Sequence, residues 1–248
     1  MHKGIYINKK IIRILCFVIA FVIGFGGTQG HINVYKSFVK TEWQPLNDSL
    51  YQNYGANKKF VKEFELQSLI ALSYYPELKN VPITFAFHDI KTTMEVRPEY
   101  LSVFKSHNRR YIIFIDDNVH NNQGVLLSEV AFNAQIGVIG HELAHIMDFQ
   151  QRSVTSLLGL GIDYVIKKNH AKYERSIDEY AIKRGLGWQE LEFSDFMQNK
   201  SKATAKYKRF KQINYLSVAE IEEEIAKTKL YSSFQPPKQL TYHVYEKQ

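Results

Sequence analysis

Apolar positions along the chain recur with two different periods, and the changes of period divide it into segments. At the start, Lys3, Lys9, Lys10 and Arg13 precede an apolar run over residues 14–25 that dissolves into Gly26, Gly27 and Thr28. A basic head before about a dozen apolar residues has the dimensions of a signal-peptide core. A comfortable membrane span needs about 20. No small-x-small site follows the run, so a cleaved signal peptide and a short uncleaved anchor are equally expected for residues 1–29. Either places the remainder outside the cytoplasm, at the membrane or exported, with the basic end left inside. Residues 30–55, with Pro45 and several Asn and Gln, read as an irregular linker or lead-in.

Beyond it the pattern becomes regular. Phe60, Phe64, Leu69 and Leu72 form an apolar stripe that predicts a helix over 57–75, stopped by Pro76. The period then drops to two. Ile83, Phe85 and Phe87 alternate with Thr84, Ala86 and His88, which predicts a half-buried strand. Residues 92–97 suggest a second strand, ended by Pro98. Residues 111–115 form a continuous apolar run closed by Asp116, Asp117 and Asn118, a third and more buried strand whose edge is a candidate for adding an extended peptide. A long helix is expected over 126–150, with Phe132, Ile136, Ile139, Leu143 and Met147 facing the core. Another runs from near Asn169 to Gly185 or Gly187. A third, over 216–230, carries a capping box in Ser217 and Glu220 and packs through Ile221 and Ile225. The fold expected is α+β: a small antiparallel or mixed sheet beside a long helix, in one domain over 56–232, with a peripheral tail over 233–248.

Composition narrows the chemistry. The chain has 248 residues, 45% hydrophobic and 23% charged, enough for one sizeable core and too apolar for wholesale disorder. Its formal charge of +7 is scattered, with no basic stripe interleaved with aromatics, so no nucleic-acid partner is expected. The single cysteine, Cys16, lies in the apolar leader. That excludes structural disulfides and Cys-ligated zinc from the folded part.

The helix over 126–150 contains His141-Glu142-Leu143-Ala144-His145. Histidines four apart lie on one helical face, where two imidazoles can grip a zinc ion. Glu142 sits beside the first, close enough to handle a proton without ligating the metal. The motif lies in an apolar stretch, IGVIG, where two histidines and a glutamate would be costly without partners. A catalytic zinc wants a third protein ligand and an open position. Downstream candidates are Asp148, Asp163, Glu174, Asp178 and Glu179. Asp148, three residues past His145, suits an outer hydrogen-bonding or capping role better. Asp163 lies in an apolar run expected to be a loop or short buried helix. Glu174 is the strongest, because Asp178 lies one turn further on and can hold a ligand histidine by its other N–H. The plainer alternative is that both are surface carboxylates paired with Arg175 and Lys183. His170, Tyr173, Tyr180 and Arg184 are candidates to stabilise an oxyanion. His88, His107 and His120 are dispersed and are not expected to be ligands.

HELAH followed by ERSIDEYA resembles the gluzincin group of zinc metallopeptidases, in particular the membrane-associated HtpX-like families with HExxH and a later ExxxD. The likeness covers the two helical motifs, about 45 residues. It implies a zincin-like fold with Zn2+ held by His141, His145 and Glu174, Glu142 as general base, Asp178 behind a ligand histidine, and a peptide or protein substrate. The chain departs from those families in having at most one candidate membrane segment, which leaves their substrates open. Other readings are a non-catalytic, membrane-tethered zinc-binding interaction domain, a peptide deformylase (disfavoured for want of a cysteine ligand) and an anchored interaction protein with a chance motif.

Overall fold

The computed structural model describes residues 33–105, 108–119, 123–165 and 167–232. The leader over 1–29, the tail over 233–248, His107 and His120 lie outside them. Among the described residues no helix is long and apolar enough to cross a membrane.

Alternating burial builds a four-stranded sheet from β1 (Lys58–Lys59), β2 (Ile83–Phe87), β3 (Met94–Pro98) and β4 (Tyr111–Ile115). The order across the sheet is β1-β2-β4-β3. β1 and β4 run parallel to β2, whereas β3 is antiparallel to β4. Ile83, Phe85, Met94, Val96, Ile113 and Ile115 are all buried, as period-two alternation requires of a sheet with one face in the core. The strand over 111–115 is indeed the most buried, but it is central. With a ladder on each side it has no edge to offer a peptide. Among the described residues the edges belong to the two-residue β1 and to β3, where Pro98 ends the strand without an N–H to waste.

Two expectations before the sheet are corrected. The described part of 30–55, from residue 33, is largely helical: Lys40–Trp43 and a 3-10 turn, Gln44–Leu46, lead into α1 (Asn47–Tyr54). Phe38 is buried there, and its N–H donates to Asn133 Oδ1 at 2.8 Å. The helix expected over 57–75 is much shorter, a 3-10 turn Lys62–Phe64 followed by α2 (Glu65–Leu72). Asn57 adopts φ 59°, a left-handed conformation that no helix continues through. Lys58 then turns inward, and its ammonium donates to the carbonyls of Ala56, Leu78, Lys79 and Val81 at 2.8–3.0 Å. Apolar spacing alone carries no sign of either event.

The remaining helices are α3 (Phe132–Gln151), α4 (Val154–Val165), α5 (Lys167–Ala181), α6 (Gly187–Asp195), α7 (Ala205–Asn214), α8 (Val218–Lys227) and α9 (Lys229–Ser232). The long helix starts six residues later than 126, after a 3-10 turn at Leu127–Glu129. α3 is the axis of the domain and packs against α2, α5, α6 and β3. Every residue from Asn133 to Met147 is buried. Arg109, wholly buried, donates to the carbonyls of Phe149 and Arg152 and so fixes the C-terminal end of α3.

Small residues set how close α6 comes. A Cβ on Gly137 would lie 2.5 Å from the carbonyl carbon of Gln189, so only glycine lets the two helices touch backbone to backbone. The reversal from α5 into α6 runs through a wide turn of π type, Ile182–Leu186, in which Gly185 takes φ 100°. Tyr231 clamps that turn: its hydroxyl accepts from Gly187 N–H and donates to Ile182 O. The capping box at Ser217 and Glu220 forms as expected, with Ile221 and Ile225 buried beneath α8.

Candidate metal centre

Helical periodicity puts His141 and His145 on one face of α3, and α5 crosses that face with Glu174. All three are buried. His141 Nε2 lies 3.1 Å from His145 Nε2 and 3.2 Å from Glu174 Oε2, and His145 Nε2 lies 3.5 Å from the same oxygen. For ligands about 2.0–2.1 Å from a tetrahedral ion, neighbouring ligand atoms are about 3.3 Å apart. The triangle has that size.

The hydrogen bonds around the triangle decide what can fill it. Asp178, one turn beyond Glu174, accepts from His141 Nδ1 at 2.8 Å through Oδ1. Its Oδ2 takes the N–H of Leu216, also at 2.8 Å. The proton of His141 is thereby assigned to Nδ1, and the Nε2 lone pair faces inward. Tyr173 does the same for His145. Its hydroxyl donates to Asp148 Oδ2 at 2.8 Å, so it accepts from His145 Nδ1 at 3.2 Å. Arg152 completes the relay by gripping Asp148 with two bonds. Three acceptor atoms thus converge in a buried space, and only positive charge satisfies them together.

Electrostatics point the same way. Burial alone would push the His141 imidazole down, but its bonds to Asp178 and Glu174 outweigh this and hold it well above its ordinary value. Burial would raise Glu174, yet the two histidines hold its carboxyl well below the usual range. With no ion between them, these shifts favour a proton shared by His141 and an ionised Glu174, and a metal ion would take that proton's place.

Glu142 is buried beside the triangle without belonging to it. Burial raises its carboxyl, opposed by the neighbouring histidines. It borders two cavities, one of about 270 Å³ on the Asp178 side and one of about 600 Å³ on the His145 and Glu174 side. The larger is lined by β3 from Met94 to Pro98 and by His170 and Tyr173.

All five residues of the sequence reading, His141, Glu142, His145, Glu174 and Asp178, meet here. The surface-pair alternative for Glu174 and Asp178 is excluded: Arg175 pairs with Glu220 and Lys183 with Glu179. Asp148 keeps to the outer role expected of it. Asp163 lies on α4, with its side chain outside the described residues. Of the oxyanion candidates, Arg184 binds Glu77 and Tyr180 and neither of these helix neighbours reaches the cavities, whereas His170 and Tyr173 do. His88 stacks on Phe114, away from the site.

Three contributors were not foreseen. Tyr215 lies over His141 with ring centroids 5.6 Å apart, held there because Arg175 binds its carbonyl and Asp178 binds the next N–H. Lys211, on α7, holds its ammonium 3.6 Å from the Tyr215 ring centroid. Glu190, on α6, joins His141 and Asp178 in a second buried group of closely spaced donor atoms. The sole signal for α6 was glycine spacing: Gly137 and Gly140 in α3, Gly185 and Gly187 before Glu190.

What the fold and site define is a mixed α+β domain with a buried group of two histidines and a carboxylate, spaced and oriented to hold a metal ion. Comparison with protein-family models, with curated proteins and with solved structures gives no match.

Proposed function

We propose that the chain is a zinc-dependent peptidase of gluzincin type. The observation that carries the reading is the convergence of three buried acceptor atoms at tetrahedral spacing with an unligating glutamate beside them. A structural metal site has no use for such a glutamate, and Glu142 therefore favours catalysis over the reading as a tethered zinc-binding interaction domain. His141, His145 and Glu174 would hold the ion, with Asp178 and the Tyr173–Asp148 pair fixing the two imidazole orientations. When bound, zinc acidifies water toward neutrality and polarises a carbonyl.

The protein's own groups supply the rest. Glu142, its carboxyl raised by burial, is suited to accept a proton from the attacking water and return it to the leaving amine. The edge of β3 is suited to receive an extended peptide. Its Thr93 and Glu99 exchange bonds with β4 through Asp116 and Arg110, so the alternate residue Val96 directs its main chain away from β4. β3 lines the larger cavity together with Glu142 and His145, and a strand added there runs past both. His170 lines the same cavity and is the candidate to donate toward an oxyanion, although its Nε2 lies 3.4 Å from Glu174 Oε1. The basic head and apolar run over 1–29 support work outside the cytoplasm, tethered or exported, on peptide or protein substrates.

The test is zinc content by elemental analysis of the full chain beside His141→Ala, Glu174→Ala and Glu142→Gln, with cleavage of a peptide library measured in parallel. About one zinc per chain, lost in His141→Ala, and activity lost in Glu142→Gln with zinc retained, is the expected result. No zinc after reconstitution removes the reading. Zinc with no cleavage, unaltered by Glu142→Gln, leaves the interaction domain.

A further inference from the structure

The smaller cavity beside Glu142 contains a carboxylate that lies outside the His141, His145 and Glu174 triangle. Its walls are largely apolar, with Val138, Phe193 and Met197 among them, and Glu190 reaches it from α6. Glu190 is 5% exposed, and its Oε1 has no hydrogen-bond partner among the described residues. A buried carboxylate oxygen without a donor is costly, and proteins retain one where something arrives to pair with it.

The neighbours do not relieve it. Asp178 adds a second negative charge nearby, and both its oxygens are engaged by His141 and Leu216. Lys211 is the one cation lining the cavity among the described residues, and its ammonium rests on the Tyr215 ring.

Volume limits what the cavity takes. At about 270 Å³ it lies below the roughly 300–1,000 Å³ of small-molecule sites, so it suits one side chain. Largely apolar walls with the buried carboxylates Glu142, Asp178 and Glu190 match a side chain whose stem is methylene and whose head is cationic.

We propose that this cavity is a specificity pocket for a lysine or arginine side chain of the substrate, with Glu190 receiving its cationic head and Val138, Phe193 and Met197 its stem. The proposal rests on the peptidase reading. Because Glu142 borders the cavity, the recognised residue flanks the scissile bond.

The experiment uses the full-length, zinc-loaded protein and matched peptide hydroxamates carrying lysine or norleucine beside the metal-binding group, on one side or the other. Dissociation constants are read by calorimetry for wild type and Glu190→Gln. In one orientation the lysine compound is expected to bind at least about tenfold tighter than its norleucine partner, a difference of about 1.4 kcal/mol. In Glu190→Gln the ratio is expected to fall to within about twofold. Hydroxamates that bind wild type without discrimination, or with norleucine ahead in both orientations, overturn the pocket and leave the peptidase reading intact. Hydroxamates that do not bind at all overturn both. The wild-type ratio decides the matter even where Glu190→Gln does not fold.

Discussion

Replacing Asp178 by asparagine exchanges one oxygen for an amide group at nearly constant volume. Asp178 is buried and both its oxygens accept, one from His141 Nδ1–H and one from Leu216 N–H, each at 2.8 Å. Asparagine has a single acceptor oxygen, so its NH2 must face one of those two donors. If it faces His141, the imidazole loses the group that fixes its tautomer. A buried hydrogen bond to a charged group is worth about 1.5–3 kcal/mol. Ligation moves positive charge onto the imidazole, so the carboxylate contributes more with metal bound than without. Outer partners of metal-bound histidines typically account for 10–100-fold in affinity. The expected result is zinc binding weakened about 10–100-fold, or about 1.4–2.7 kcal/mol. The metal-free protein should respond differently. There Asp178 crowds Glu190, and removing one negative charge offsets part of the lost bond to His141, so stability falls by less than in the zinc-loaded form. Competition with a chromophoric chelator measures the affinity, and urea melts with and without chelator measure the stability. Zinc affinity within twofold of wild type, or an equal loss of stability in the two forms, would refute the reasoning.

Two further outcomes follow from packing and charge. Gly137→Ala drives a methyl group to 2.5 Å from the backbone of Gln189, and a backbone neighbour cannot turn aside. The cost expected is about 1–3 kcal/mol in a urea melt, with Gly159→Ala, which meets nothing within 4 Å, as the control. Glu220 has its carboxyl lowered to about 2, chiefly by its bond to Arg175. A folded value below the unfolded one (about 4.3) contributes stability above that pH and loses it as pH falls toward about 2. The pair is largely solvated, so the contribution is below about 1 kcal/mol. Glu220→Gln keeps a capping-box residue, and the gap between its urea midpoint and that of wild type should narrow as pH falls below about 4.3 and close near pH 2. A gap that stays constant would count against the ion pair.

The residues of the metal centre were legible because helical periodicity is local. His141 with His145, and Glu174 with Asp178, each occupy one face at a spacing of four. Burial of α3 was likewise visible in its apolar composition. The sheet order was not, since a continuous apolar run reads the same whether it is paired on both sides or left at an edge. The start of α2 was lost to Asn57, where one left-handed residue and an inward-turned lysine override an apolar stripe. Glu190, Lys211 and Tyr215 lie in segments with ordinary amphipathic composition. What brings them in is the close approach at Gly137 and the pinning of the 215–216 backbone by Arg175 and Asp178.

The sheet order also constrains the sequence of assembly. β4 is the last strand made, yet it occupies an inner position, and both β2 and β3 depend on it for their ladders. Before it docks, β3 has no strand to pair with, and β2 has only the two residues of β1. The two ladders therefore close in one event of high sequence separation, the slow kind in a small domain. Amides of β2 and β3 should gain protection together when refolding is pulse-labelled with deuterium. An emerging chain consequently holds no finished edge at β3, and α3 is synthesised later still. The groove and the metal ligands come into being only when the domain closes, and a half-made chain carries neither.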